Sequence, residues 1–341
     1  MGWLWYWYIE SYGSIIVASF WVILTDITLP ESAKRGFPLV YIFGQFGQIF
    51  GPYLISAKKL GFSSSAPIAG ICGGLMILIG VILWLFMKYT PKSQLARYKA
   101  AGCLEESAEC EPVKQEKKKK KKVGFVEGIK TIFSSGYLMG ILFVVMVFEI
   151  IVTVFDFQFK YMASKAFPLE VDFSAYMSNF ASTVGIISFV CVTFGLSSLQ
   201  RKLGIFVSLL VTPILVLAGV FVLWAYPLLG IAFWIMAFSK AINYSVNQPK
   251  LKNLYIPVTK ETRYKTMGWI EAFGGRSSKS IGSVINLLGK IFKGKYGAAG
   301  VAVFLNVSSP ISLVLVAIWF FVTFYLAKTH KKAIDNNEFV C

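Results

Sequence analysis

Four polar side chains recur along one apolar stretch. In "VMVFEIIVTVFDFQFKYM", Glu149, Thr153, Asp156 and Lys160 stand at i, i+4, i+7 and i+11. On an α-helix, at about 100° per residue, they fall within roughly 60° of one another. A charge at membrane depth costs about 2.5–3.5 kcal/mol on insertion scales, so each one there is a site candidate until it is explained. A polar stripe on an otherwise apolar helix faces a water-filled cavity or a bundle interior, which is the pattern of a transport path. The alternative is a salt-bridge ladder with Lys160 at its outer mouth.

A second constellation lies in "ETRYKTMGWIEAFGGRSSKSIGS", residues 261–283. Glu271, Arg276 and Lys279 span an arc of about 140°, and Lys265 falls in the same arc about four turns before Lys279. With Arg263, these bases form a ladder climbing from a polar loop towards mid-membrane. Glu271 alone cannot neutralise them. They want an anion, or the acids of other helices. A phosphate-bearing substrate meets that need through charge-assisted hydrogen bonds. Pairing with Glu10, Glu149 or Asp156 meets it too, and a substrate could displace such pairs. The small residues Gly274, Gly275, Ser277, Ser278, Ser280 and Gly282 let another helix or a ligand approach the backbone. Glu10, in "YWYIESYGS", has Gly13 and Ser14 one turn on. Lys240, in "MAFSKAINYSVNQPK", either snorkels to the interface or lines the same cavity.

Other chemistries find little support. "GGRSSKS" is not a Walker A phosphate loop, whose Gly-Lys-Ser/Thr follows a strand. One histidine, His330, leaves no His/Cys cluster with metal-ligand spacing. No nucleophile–base pair stands out, so neither an enzyme nor a cofactor is expected. Cys72 and Cys191 lie in apolar segments as small packing residues.

These residues must be held by membrane helices. The chain has 341 residues, 56% hydrophobic and 16% aromatic, which is more apolar surface than a soluble domain can bury. We expect an all-α polytopic membrane protein with about nine spans. They lie near 3–25, 36–57, 66–88, 136–157, 174–198, 204–225, 227–247, 266–289 and 303–327. The net charge is +17, but the bases lie in loops between apolar segments. That placement points to membrane lipid rather than nucleic acid as the partner of the charge.

One connector, residues 89–135, is long and polar, with six consecutive lysines from Lys117 to Lys122. It divides the chain into 1–88, with three spans, and 136–341, with six spans and a polar tail. Its end, "GFVEGIKTIF", suits either a short surface helix or the start of the next span. Lysine and arginine concentrate on the connector's side: Lys34, Arg35, Arg201, Lys202, the 250–265 loop and the tail. This bias predicts a cytosolic connector and C-terminus. Six spans after a long cytosolic loop resemble one half of a transporter built from two six-helix halves. The other half would lack three helices, as in a truncated gene product.

Three stretches resemble the ATP/ADP translocase family of plastids, intracellular bacteria and microsporidia. "INYSVNQPKLKNLYIPVTKETRYKTMGWIEAFGGRSSKSIGSVIN" is similar to that family's KYSLFDPxKEMAYIPL, KxKGKAAID and RxGKSGG patterns. "IESYGSIIVASFWVILTDITLPESAKRGFPL" resembles its fourth helix, and "DFQFKYMASKAFPLEVDFSAYMSNFASTVGI" its seventh and eighth. The resemblance implies a major-facilitator-like twelve-helix fold of which this chain carries the last nine helices. It also implies exchange of ATP for ADP by alternating access. The family's fourth-helix glutamate falls on Glu10 and its seventh-helix glutamate on Asp156. Its GKSGG-turn lysine falls on Lys279, the preceding arginine on Arg276, and its aspartate after KAAI on Glu271. Arg263 and Lys265 keep charge in "RYKTMGWIE", whereas the family's third lysine is Met267, and the KYS lysine is Asn243.

The expected substrate-binding set is therefore Lys279, Arg276, Asp156, Glu10, Glu271, Glu149, Lys265 and Arg263. ATP and ADP or other nucleotides are the expected substrates, and a monomer is the working unit. The rival readings are a proton-coupled or other-purine nucleotide importer, and a non-transporting paralogue or scaffold. The expected setting is the plasma membrane of an intracellular parasite or bacterium.

Overall fold

The computed structural model describes residues 30–89, 125–247, 257–296 and 300–336, with Leu4, Ile16, Phe20, Leu251, Leu254, Tyr255 and Val340 besides. Apart from Leu4, Ile16 and Phe20, the expected first span with Glu10 lies outside the described residues, as does the lysine run 117–122. Regular structure among the described residues is helical: α1 Pro30–Leu54, α2 Ala66–Tyr89, α3 Phe125–Ser134, α4 Gly136–Ala166, α5 Glu170–Val190, α6 Leu196–Ala225, α7 Leu229–Ile242, α8 Lys260–Trp269, α9 Gly275–Tyr296 and α10 Gly300–Asp335. Single π-turns follow α5 (Cys191–Gly195) and α7 (Asn243–Asn247), and a third joins α8 to α9 (Ile270–Gly274). Such turns insert one residue into the helical ladder and rotate the residues beyond it.

The chain divides into two compact units, Met1–Gly44 with Ala66–Lys121, and Gln45–Ser65 with Lys122–Cys341. In the first unit, α2 is apolar all round and exposes Ile77, Leu78 and Trp84. A helix without a polar face belongs in lipid or a core. Four helices among the described residues are long and apolar enough to cross a bilayer: Ala66–Phe86, Gly136–Ala166, Glu170–Thr193 and Ala302–Asp335. Leu209–Ala225 is a shorter apolar one.

The second unit is built around α4. Ser135 caps it, its Oγ accepting from the Leu138 N–H, and Phe167–Pro168 ends it, because a residue before proline leaves the helical region. At 31 residues it is about 46 Å long. Asp172 and Glu170 then sit in the first turn of α5, where negative charge favours a helix start. Contacts along α10 fix its direction. Gly140 of α4 meets Leu326 and Phe148 meets Trp319, so α10 runs antiparallel to α4. Phe206 meets Phe324 and Trp224 Nε1 donates to Asn306 Oδ1 at 2.9 Å, so α10 is antiparallel to α6 as well.

The core between α4, α5 and α7 is aromatic, with Phe159 and Phe233 in ring contact with each other and each with Tyr176 and Phe180. At the other end of α4, the Tyr137 hydroxyl donates to the Leu254 carbonyl at 2.7 Å. That anchors the buried segment of Leu251, Leu254 and Tyr255. From Phe125 on, the "GFVEGIKTIF" stretch forms a helix of its own, α3, broken from α4 at Ser135 and packed against α8.

Several helices outrun the apolar stretches that announced them. α4 runs on to Ala166, and α10 through Lys328, Lys331 and Lys332 to Asp335. Hydropathy ends where polar side chains begin, whereas the backbone ladder continues until a breaker stops it.

Candidate functional site

The face of α4 that carries the polar stripe does two jobs. Thr153 packs against α9: a β-carbon at Gly282 would lie 2.8 Å from Thr153 Cβ and 3.2 Å from the Ile150 carbonyl oxygen. Asn286 Nδ2 donates to the Thr153 carbonyl at 3.2 Å, and Gly274 meets Leu142 in the same way. Gly274, Ser278, Gly282 and Asn286 stand four residues apart, so they form one face, and that face is where α9 docks on α4. Small residues are needed there because the two backbones approach closely. Three serine hydroxyls of α9 turn back onto their own helix. Ser278, Ser280 and Ser283 donate to carbonyls one turn back, at 2.6, 3.2 and 2.8 Å, which removes their need for an outside partner.

Arg276 and Lys279 fall off this docking face, and both are exposed. Lys279 acts through its charge on Glu149, which is half-buried on α4. Lys240 of α7 acts on the same glutamate. Arg263 is half-buried near the start of α8. The side chains of Lys265 and Glu271 lie outside the described residues, and so does Glu10. The structure thus brings Glu149, Asp156, Lys240 and Lys279 into one electrostatic neighbourhood on α4, α7 and α9.

Asp156 is the hub of that neighbourhood. Its Oδ1 accepts from Lys240 Nζ at 2.5 Å and its Oδ2 lies 2.7 Å from Lys160 Nζ. The carboxylate is 17% exposed, Lys240 24% and Lys160 55%. Its two partners come from α4 and α7. Burial makes such a carboxylate costly unless its oxygens are matched, and both are. Lys240 also stands 5.3 Å from the ring centroid of Phe180, so its ammonium closes the aromatic core from above. Sequence reasoning left Lys240 between two roles. No pattern within its own helix says which acid it meets, since that partner lies 84 residues away.

The π-turn at Asn243–Asn247 is held from within. Asn247 Nδ2 donates to Asn243 Oδ1 at 2.9 Å, and Ser245 Oγ to the Ala241 carbonyl at 2.7 Å. Asn243, where the resembling family carries a lysine, is buried and engaged in this turn.

A family model described as TLC ATP/ADP transporter matches residues 2–230, which include Glu149 and Asp156 and stop before Lys240. ADP,ATP carrier protein 4 of Rickettsia bellii is 24% identical over 358 residues, covering 94% of this chain and 65% of that protein. ADP,ATP carrier protein 1 of Rickettsia typhi is 25% identical over 245 residues, 66% of this chain and 48% of that one. The chloroplastic ADP,ATP carrier protein 1 of Arabidopsis thaliana is 24% identical over 308 residues, 81% and 46% respectively. The chain therefore spans about half to two thirds of the length of these relatives. No solved structure matches it.

Proposed function

The chain belongs to the TLC ATP/ADP transporter family, and from that premise we propose that it exchanges ATP for ADP across a membrane by alternating access. The observation that carries this reading is the charge cluster at Asp156, whose carboxylate holds Lys240 of α7 and Lys160 of α4, with Lys279 exposed on the neighbouring α9. Lys279 and Arg276 hold the polyphosphate through charge-assisted hydrogen bonds. Arg263 and Lys265 form the vestibule that leads to them. Glu149, Asp156 and Glu271 supply opposing negative charge that offsets only part of the charge of these bases in the empty cavity.

On this reading the chain carries nine spans, arranged as the last nine of a major-facilitator-like set of twelve. Its connector and C-terminus face the cytosol. It works as a monomer in the plasma membrane of an intracellular parasite or bacterium. Exchange follows from the charges: an empty carrier must bury bases without a substrate and returns slowly.

Liposomes reconstituted with the protein and loaded with ADP test this. ATP uptake is expected to be much faster than into empty liposomes, and equal rates would rule out exchange. The Lys279→Ala variant is expected to lose most uptake. Met267 favours a second reading. It packs against the core where the family pattern has a lysine, which removes a cation from the proposed phosphate path and suits import of other purine nucleotides. Proton-driven uptake of such a nucleotide into unloaded vesicles would support it.

A further inference from the structure

Asp156 holds two ammonium groups at once, and the two are not equivalent. Lys160 lies one turn along the same helix and is 55% exposed. Lys240 comes from α7, is 24% exposed, and makes the shorter contact. Its charge also acts on Glu149, as does that of Lys279 on α9. A buried carboxylate that loses its sole partner is strongly destabilised. Asp156 would not be in that position if Lys240 left, because Lys160 keeps its Oδ2.

We infer that Lys240 is a phosphate-binding residue of the transport site that trades Asp156 for a phosphate oxygen of the arriving nucleotide. The inference rests on the nucleotide-exchange reading above. The swap is close to balanced. An ammonium exchanges one charge-assisted hydrogen bond for another of the same kind, while Lys160 goes on neutralising the carboxylate. The residual local charge also has the right sign. Lys160, Lys240 and Lys279 against Asp156 and Glu149 still leave a positive excess, and an anionic substrate discharges it. Departure of the nucleotide returns Lys240 to Asp156, so the pair closes behind the substrate. Asp156 is thus a stand-in for phosphate in the empty site, and Lys160 is a positioning residue that acts through it.

The test uses the reconstituted full chain, with ATP as the probe and two readouts, apparent KM for uptake and the rise in melting temperature on adding ATP. The Lys240→Gln variant should raise KM about 10- to 100-fold, the usual cost of one hydrogen bond to a charged group, and should lose most of the ATP-dependent rise. Lys240→Arg should recover much of both. Asp156→Asn releases Lys240, so KM should fall while maximal exchange slows. The double variant Lys240→Gln/Asp156→Asn, which keeps the pair neutral and foldable, should show the high KM of Lys240→Gln alone.

An ion pair with only a structural role predicts otherwise. Each single variant would then lower the melting temperature without ATP, the double variant would restore it, and KM would stay at the wild-type value throughout. That result overturns the inference while leaving exchange intact. If the wild-type protein itself neither binds nor moves ATP, the exchange reading fails and the inference falls with it.

Discussion

Lys58 and Asp172 are 114 residues apart in sequence, yet Lys58 Nζ donates to Asp172 Oδ1 at 2.8 Å. Beside them the Ser65 hydroxyl and backbone N–H both donate to Glu170 Oε1. The loop between α1 and α2 is thereby tied to the first turn of α5. Deeper in, the last part of α1 lies flat on α5: Phe46 meets Phe189 at 5.5 Å, and Ile49 fills the space left by Gly185. The two layers differ in kind. Packing at Gly185 is tight and apolar, whereas the ion pair is solvated, with Lys58 65% exposed.

An exposed ion pair is worth about 0–1 kcal/mol, so this tie costs little to break. A carbodiimide joins an amine to a carboxylate only where they touch. We expect it to link Lys58 to Asp172 in the substrate-free protein, as read by peptide mapping, and the linked protein to lose exchange. Transport at the unlinked rate would show that this loop does not need to move.

The glycines of α9 give an internal control on its docking. A β-carbon at Gly282 would collide with Thr153, whereas nothing lies within 4 Å of one at Gly275. Gly282→Ala should therefore cost about 1–3 kcal/mol by overpacking. Gly275→Ala should be neutral or gain about 0.5–1 kcal/mol from helix propensity. Thermal unfolding in detergent separates the two, and equal melting temperatures would refute the close approach of α9 to α4.

Met267 offers a test of substrate choice. Its side chain packs against the core at the end of α8, where the family pattern places a lysine. Met267→Lys restores that charge. If phosphate passes this point, the variant should lower KM for ATP several-fold more than KM for AMP, in competition uptake with both nucleotides. An identical ratio in wild type and variant would place Met267 off the path.

Much of this arrangement was legible in the sequence, and the limits are physical. The period of Glu149, Asp156 and Lys160 put them on one face, and Asp156 and Lys160 do meet, at 2.7 Å. Periodicity orders a helix about its own axis, but it does not say which neighbour the face meets. That is why the Asp156–Lys240 contact, 84 residues apart, could not be read in advance. Composition likewise marked the glycines and serines of α9 as permissive to approach. It could not say that Gly282 admits α4 while Gly275 remains open, since both are glycine and only their angle on the helix differs. The π-turn at Ile270–Gly274 also rotates α9 as a whole relative to α8, which a count along one ideal helix from 263 to 279 misses.

Glu149 provides the sharpest separation of binding from turnover. It takes the charges of both Lys279 and Lys240, so Glu149→Gln leaves the empty site with more unmatched positive charge. Bound nucleotide then gains relative to the empty state, and the empty carrier finds it harder to reorient across an apolar surround. Both effects point in opposite directions on the two kinetic constants. KM for ATP should fall, by about tenfold if one charge contact of roughly 1.4 kcal/mol is at stake, while the maximal exchange rate drops. Preloading with ADP should rescue part of that rate, because the substrate supplies the charge that the glutamine lacks. A rise in KM with the rate unchanged would mean that Glu149 contacts the nucleotide directly, and its place opposite the bases would have to be given up.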